Sequence, residues 1–387
     1  MERTRLIADL RTFAGEALVE RDGACFLVDP GWGARERAQW QALVARRPVN
    51  WDGARGWLCI PTGGSSGAMK LARHDERTLA AAVAGFCALF GASRVNAVGL
   101  LPPWHVSGLA AWARCRFSGG EYRAWDWKRV EQGERPSMSD TGDWFLSLVP
   151  TQIARLLRDP AAVSWLRGFR AVLVGGAPAW PELRSSARAE RVPLAFSYGM
   201  TETAAMVAVQ TPEDFLAGDD SSGRAMPQAR IKLVLDGRVE VDGDSLFLGY
   251  WPDTRESGPW RTDDFGELDA SGRLRITGRA DALIITGGEK VNPAEVEAAL
   301  REAGAEALSD VVVVGAPHPE WGAEVVALFP GDASLAMRLR EGVARSLAPA
   351  KRPKRYIDLR PEDWPRDGRG KLNRATLEEL AARMRGI

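Results

Sequence analysis

The segment with the clearest chemical capacity is PTGGSSGAMK, residues 61 to 70, which follows the strand-like run WLCI. Its glycines let the backbone approach a ligand closely. Its exposed N–H groups, the hydroxyls of Thr62, Ser65 and Ser66 and the ammonium of Lys70 are the donors that wrap a polyphosphate. The spacing is not the G-x-x-x-x-G-K-[ST] of a P-loop, so taken alone the same residues also read as an ordinary Gly/Ser turn between two elements. Other chemistries find less support. Cys25, Cys59, Cys87 and Cys115 form no C-x-x-C pair, and His74, His105 and His318 lie far apart. Spacing therefore indicates neither a zinc site nor a disulfide framework nor a His-based metal centre, although a nucleotide-bound magnesium needs only oxygen ligands. Asp219, Asp220, Asp242 and Asp244 sit in turn-like runs and read as turn-forming, solubilising groups.

The elements that must position this loop come next. From about residue 57 to 210, apolar runs at Asn96 to Leu101, Trp144 to Val149, Ala171 to Val174 and Leu194 to Phe196 alternate with helical patterns, which predicts an α/β sheet layer. Leu79, Val83, Phe86, Cys87 and Phe90 recur at helical spacing, and Gly91 is placed to close that helix. The helix is expected to follow the glycine-rich segment directly. Between about 223 and 281 the texture changes to strand alternation with Asp-Gly and Ser-Gly turns, as in IKLVLDGRVEVDGDSLFLGYW and GELDASGRLRITGR, and predicts antiparallel β structure. Beyond Asp281 an α+β segment follows. There Asn292, Pro293 and Glu295 are spaced as N-cap, first-turn proline and capping partner of a helix, and VVVVGA reads as a buried strand.

Composition narrows the class. A chain of 387 residues with 45% hydrophobic side chains can bury a large core in two or more domains. Lys plus Arg and Asp plus Glu both number 51, so no long-range attraction to phosphate backbones or anionic lipid is expected, and nucleic acid is not an expected partner. The opening MERTRLIADLRTF is interrupted by charge, and no later run approaches the ~20 apolar residues that span a bilayer. A cytoplasmic protein is expected. Fifteen tryptophans are many, and the sequence offers no functional account of them.

Further segments follow the loop in order: LPPWHVSGL (101 to 109), VLVGGAP (172 to 178), SYGMTE (197 to 202), WRTDDFG (260 to 266), GRADALIITGGEKVNPAEVE (278 to 297) and PRDGRGKLNR (365 to 374). This ordered series, spanning about residues 58 to 374, resembles the adenylate-forming superfamily of acyl- and aryl-CoA synthetases, nonribosomal adenylation domains and luciferases. The resemblance implies an α/β fold with an α+β C-terminal part. Residues 1 to 280 would form a large ATP- and acid-binding domain with a shortened N-terminal subdomain. Residues 282 to 387 would form a small mobile domain, hinged near Asp281.

It also implies roles. Thr62, Ser65, Ser66, Gly67 and Lys70 would hold the β- and γ-phosphates of ATP, while Gly176, Ala177 and Tyr198 would frame adenine. Thr201 would meet the α-phosphate, Glu202 would serve Mg2+, and Asp264 and Arg279 would contact the ribose. Lys371 corresponds to the catalytic lysine of the mobile domain. Gly287 and Gly288 would leave room for the pantetheine arm of coenzyme A. His105 matches a residue beside the acyl pocket, with a capped or packed histidine as the alternative. Segments 104 to 112 and 197 to 207 would line that pocket, Trp104 and Met206 having core packing as their alternative.

Some residues depart from the pattern. Gly63, Ser66 and Met69 replace Ser, Thr and Pro of the usual phosphate loop; serine keeps the hydroxyl, and loss of proline frees a backbone N–H. Asp263 stands where glycine is common and reads as a solvated carboxylate or a second one near the ribose. The short form, with IITGGEKVNPAEVE and SSGRAMP, looks like the 2-succinylbenzoate-CoA ligases of menaquinone and phylloquinone biosynthesis. The expected partners are an aromatic dicarboxylic acid, ATP and coenzyme A, in a monomer or a homo-oligomer. Two other readings stand beside this one: another short acyl- or aryl-CoA synthetase with a different acid, and a non-catalytic nucleotide-binding relic.

Overall fold

Four sheets organise the described part of the chain. The computed structural model describes residues 2–47, 53–63, 69–138, 144–177, 179–287, 289–304, 308, 310–366 and 372–384. The largest sheet has seven strands, in the order Arg224–Ala225, Ala205–Val209, Leu194–Met200, Ala171–Val174, Trp144–Leu148, Asn96–Gly99, Tyr122–Ala124. The last five of these run parallel. Parallel strands covered on both faces must be apolar on both, which is why their runs show no alternation. Val98, Leu146, Val172 and Leu194 enter the core on one face. Ala97, Phe145, Leu173 and Ala195 enter the core on the other.

The glycine-rich segment belongs to a second, four-stranded sheet. Leu58–Gly63 and Met69–His74 pair antiparallel, with Thr62 opposite Lys70 and Gly63 opposite Met69. The connection 64–68, which carries Ser65, Ser66 and Gly67, lies outside the described residues. The expected helix is present as Glu76–Phe90, with a reciprocal Asp75/Thr78 capping box at its start and Gly91 left-handed at its end, φ +57°. It does not follow the loop directly: the strand Met69–His74 intervenes. MKLARH is short and half basic, so its period-two pattern is inconspicuous, yet Leu71, Ala72, Arg73 and His74 are all buried.

A third sheet, Ala229–Leu233, Arg238–Gly243, Trp260–Leu268 and Leu274–Arg279, is antiparallel throughout, as the turn signals predict. The fourth gathers Glu289–Val291, Ile284–Thr286, Gly322–Phe329, Val312–His318 and Arg355–Asp358. Helices Pro293–Gly304 and Ala333–Ser346 cover one face through Val313, Val325 and Leu339. Helix Arg374–Arg383 covers the other through Val312, Val326 and Leu377. Asn292 caps as expected, its Oδ1 accepting from Ala294 N at 3.0 Å. Glu295 does not act as its capping partner, because both of its carboxylate oxygens accept from Lys351 Nζ at 2.6 and 2.7 Å. No helix among the described residues is long and apolar enough to cross a membrane.

One side chain joins the first two sheets. His74, fully buried at the end of its strand, lies 2.8 Å from the carbonyl oxygen of Thr201 through Nε2 and 3.0 Å from Thr78 Oγ1 through Nδ1. A carbonyl oxygen only accepts, so Nε2 carries the proton and the neutral ring satisfies both contacts. Burial holds its pKa down at about 4, against an ordinary 6.5. A base with a depressed folded pKa takes its proton more readily when unfolded. Its contribution is therefore fully present above the unfolded pKa and is lost as pH falls. The unfolding free energy from denaturant titrations should drop between pH 6.5 and 4, by about 3 kcal/mol from this group. The variant His74→Gln, which can still donate to Thr201, should lack that component of the acid limb; equal acid sensitivity in both proteins would contradict the assignment.

Candidate active site

In an open parallel sheet, ligands gather outside the carboxyl ends of the strands, where loops diverge from a rigid base. Three of the expected segments leave the seven-stranded sheet at those ends. His105 stands at the N-cap of helix Val106–Ser118, which follows the strand Asn96–Gly99, but its side chain makes no cap hydrogen bond. Gly176 and Ala177 follow Ala171–Val174, with Gly176 at φ +83°, a left-handed geometry that favours glycine. Tyr198, Thr201 and Glu202 lie at the end of Leu194–Met200 and in the single 3-10 turn beyond it. Register places Val174 beside Phe196, so Gly176 and Tyr198 emerge from adjacent strands.

The first cluster joins the first sheet to the third. Tyr198 Oη donates to Asp264 Oδ2 at 2.7 Å, and Arg279 Nη1 donates to Asp264 Oδ1 at 2.9 Å. Asp264 and Arg279 are cross-strand partners, which fixes their approach. Burial, and then the Asp264 carboxylate, push the Tyr198 phenol well above its usual range, so it stays a donor. Each carboxylate oxygen retains acceptor capacity, so Asp264 can also receive a diol. Alternation along the strand sends Asp263 the other way, 56% exposed and 3.5 Å from Arg238 Nη1.

The second cluster is the turn 200–205. Ala204 and Ala205 both adopt left-handed φ, +51° and +83°, at a cost of about 1 kcal/mol or more each. Several bonds enforce that geometry. The Thr203 hydroxyl is bonded to Met200 N and Met200 O at 3.0 Å and to Ala205 O at 2.5 Å, His74 holds Thr201 O, and Phe247 N donates to Glu202 O at 2.8 Å. Gly199 is required beneath it, since a Cβ there would lie 2.0 Å from Ala205 O. The result is a Glu202 side chain that is buried yet has no cationic partner among the described residues. Its Oε1 accepts from Tyr250 Oη at 2.7 Å. A buried, hard-oxygen carboxylate without a counter-charge suits a divalent cation whose other ligands come from phosphates and water. Among the described residues no group of three or more His, Cys, Asp or Glu gathers to hold a metal by itself.

Thr62 and Lys70 flank the mouth of the hairpin, with the Lys70 ammonium 4.9 Å from the centre of the Tyr250 ring. Gly287 is left-handed at φ +57° and donates its N–H to Trp321 O at 2.9 Å. Ser65, Ser66, Gly67, Gly288 and Lys371 lie outside the described residues, as does the side chain of Asp281. The flanks of Lys371 are anchored: Arg366 pairs with Asp310 at 2.8 Å, and Asn373 caps helix Arg374–Arg383.

Sequence reasoning missed two residues here. Tyr250 is one. Arg114 is the other, 5% exposed on helix Val106–Ser118, with its guanidinium 4.3 Å from the Phe86 ring and no carboxylate partner among the described residues. Burial lowers its pKa to about 10, and the neighbouring thiols of Cys115 and Cys87, both raised by burial, are neutral and supply no counter-charge. It remains a cation at neutral pH. With Leu79, Val83, Ala110, Ala204 and Met206 it lines a narrow, otherwise apolar cleft beside the turn 200–205. The sequence carries no distinct signal for it: Arg114 is one of two arginines, with Arg116, near the end of a helix buried from Gly108 to Cys115.

Comparison with known proteins identifies the family. Residues 15–251 match the AMP-binding enzyme family, and residues 280–348 match the AMP-binding enzyme C-terminal domain. The 2-succinylbenzoate–CoA ligase of Escherichia coli K12 is 31% identical over 351 residues, covering 89% of this chain and 73% of the relative. A solved structure of E. coli MenE with bound OSB-AMS aligns with TM-score 0.69 and 29% identity over 87% of this chain and 71% of that one. ATP-bound MatB from Rhodopseudomonas palustris aligns with TM-score 0.70 and 25% identity over 84% and 68%. With a large N-terminal domain, a small C-terminal one and matches along most of its length, the chain belongs to the AMP-binding enzyme family and is an AMP-forming acyl-CoA ligase.

Proposed function

We propose that this chain ligates 2-succinylbenzoate to coenzyme A in the cytoplasm, in two steps at one site. First, an oxygen of the succinyl carboxylate attacks the α-phosphorus of ATP, forming the acyl-adenylate and releasing pyrophosphate. The sulfur of coenzyme A then attacks the acyl carbonyl carbon, and AMP leaves with the electrons of the broken C–O bond. Thr62, Ser65, Ser66, Gly67 and Lys70 bind the β- and γ-phosphates. Gly176, Ala177 and Tyr198 frame adenine, Asp264 and Arg279 hold the ribose, and Thr201 meets the α-phosphate. Magnesium, held by Glu202, supplies positive charge to the phosphates when bound. Lys371 stabilises the charge that builds on the α-phosphate and on the bridging oxygen. The domain 282–387 then turns about Asp281, and Gly287 and Gly288 admit the pantetheine arm, with His105 beside the acyl group.

Arg114 is the observation that carries the choice of acid. Leaving a guanidinium buried and unpaired costs several kcal/mol, a cost offset when an anion enters beside it. A monocarboxylic acid consumes its only carboxylate in adenylation and leaves nothing for Arg114. With this cleft widened from its present volume of about 10 Å³, an aromatic dicarboxylic acid would bring a second carboxylate to the guanidinium and a ring to the apolar wall of Leu79, Val83 and Met206. The name of the E. coli relative and the OSB-AMS bound to its structural counterpart support the same substrate.

Pyrophosphate release should be fastest with 2-succinylbenzoate among a panel of acids, and coenzyme A should then yield its thioester by mass. Turnover of a different acid would keep the mechanism and displace the substrate. In Arg114→Leu, KM for 2-succinylbenzoate should rise roughly ten- to a hundred-fold. Activity on 4-oxo-4-phenylbutanoate, which lacks the ring carboxylate, should stay near the wild-type level, while the melting temperature should not fall. In Lys371→Ala, adenylation should slow by roughly two to three orders of magnitude while supplied acyl-adenylate is still converted to thioester. Survival of both half-reactions at the wild-type rate would remove that lysine from the mechanism.

A further inference from the structure

The segment Phe247 to Trp251 connects two strands of the third sheet, yet its backbone bonds lead elsewhere. On one side it lies along the outer edge of the hairpin strand Met69–His74. Leu248 N donates to Arg73 O at 2.8 Å, Arg73 N to Gly249 O at 2.9 Å and Trp251 N to Leu71 O at 2.8 Å, while Tyr250 bridges Ala72. On the other side Phe247 N holds the carbonyl of Glu202. Tyr250 is thereby fixed between the phosphate hairpin and the carboxylate turn, with its ring against Phe247 at 4.9 Å between centroids and Trp260 at 6.2 Å.

Its two chemical faces meet opposite charges. The ring face receives the Lys70 ammonium at 4.9 Å from its centre, and the hydroxyl donates to Glu202 Oε1 at 2.7 Å. Lys70 and Glu202 make no ion pair with each other, and neither has another ionic partner among the described residues. That arrangement has a chemical use. A lysine and a carboxylate at one polyphosphate site would, in direct contact, neutralise each other and have to be separated before either could bind. A phenol between them gives each a weaker partner. Holding Oε1 also leaves Oε2 of Glu202 as the available oxygen.

Resting on the reading that Glu202 takes magnesium and Lys70 takes phosphate, we propose that Tyr250 is a positioning residue: its ring and hydroxyl keep Lys70 and Glu202 apart and aim the carboxylate at the nucleotide-bound metal. Tyr250→Phe keeps the ring and removes one O–H. Tyr250→Leu removes both.

Equilibrium ATP binding without an acid present, followed by tryptophan fluorescence with EDTA or with graded magnesium, reads this without turnover. In Tyr250→Phe the magnesium concentration for half-maximal enhancement of ATP binding should rise roughly ten-fold, the scale of a lost hydrogen bond to a charged group. ATP affinity in EDTA, and the rate of thiolysis of supplied acyl-adenylate, should match wild type. In Tyr250→Leu, ATP affinity should fall in EDTA as well, because Lys70 then collapses onto Glu202. A magnesium titration of Tyr250→Phe that superimposes on wild type overturns the proposal, as does Tyr250→Leu behaving like Tyr250→Phe. Glu202→Gln separates the two levels of inference. If its binding keeps the full magnesium response, the assignment of Glu202 fails and the role of Tyr250 falls with it; if it loses the response while Tyr250→Phe does not, only the role of Tyr250 is lost.

Discussion

The turn from Met200 to Ala205 is the constraint on which the site depends. A parallel strand from the centre of the large sheet must reverse there into the antiparallel Ala205–Val209, within a few residues and with two alanines in left-handed geometry. A free peptide would relax such a turn. Here the Thr203 hydroxyl ties its two ends, His74 reaches across from the hairpin sheet and Phe247 N closes it from the connection between two strands of the third sheet. Two sheets and a connection of the third therefore meet at one turn, and two adjacent left-handed alanines lie where Thr201 and Glu202 are displayed. A strained residue persists only where its surroundings over-determine it, and these surroundings are the elements that also present Lys70 and Asp264.

Much of this was legible in the sequence because it rests on residue type at fixed spacing. The parallel strands appear as short apolar runs bounded by turn residues, and the antiparallel sheet appears through its Asp-Gly turns. The resemblance assigns Tyr198 to adenine and Asp264 with Arg279 to the ribose, and in the structure the three meet in one hydrogen-bonded cluster. What escaped depends on partners that only the fold supplies. Glu295 has the spacing of a capping box, but Lys351, 56 residues on, takes its carboxylate. Tyr250 looks like any aromatic near a strand end until Lys70 and Glu202 are placed on either side of it. Arg114 looks like a solvated helix charge, because nothing in the residue types sets it apart from Arg116 two positions on, which pairs with Asp9. The strand Met69–His74 is hidden by its basic residues, two of which, Arg73 and His74, point into hydrogen-bond networks: Arg73 alone donates to the carbonyls of Gly56, Arg55 and Asp253.

The distribution of charge completes the argument. With equal numbers of basic and acidic side chains, the chain has no net field to gather anionic ligands from a distance. Many charges at the surface are paired locally, such as Arg230 with Asp242 and Arg188 with Asp220, and such pairs contribute little on their own. Three charges around the turn have no ionic partner among the described residues: Glu202, Lys70 at the hairpin mouth and Arg114 in the cleft. Each is met by an aromatic ring or phenol in place of an opposite charge: Tyr250 serves Glu202 and Lys70, and Phe86 serves Arg114. An aromatic partner stabilises a charge less than an ion pair would, and so leaves more of its interaction energy for a ligand. Recognition in this protein is therefore local. It comes from single groups whose neutralisation has been withheld by packing them against rings, and the surrounding sheets are rigid enough to keep them from finding each other.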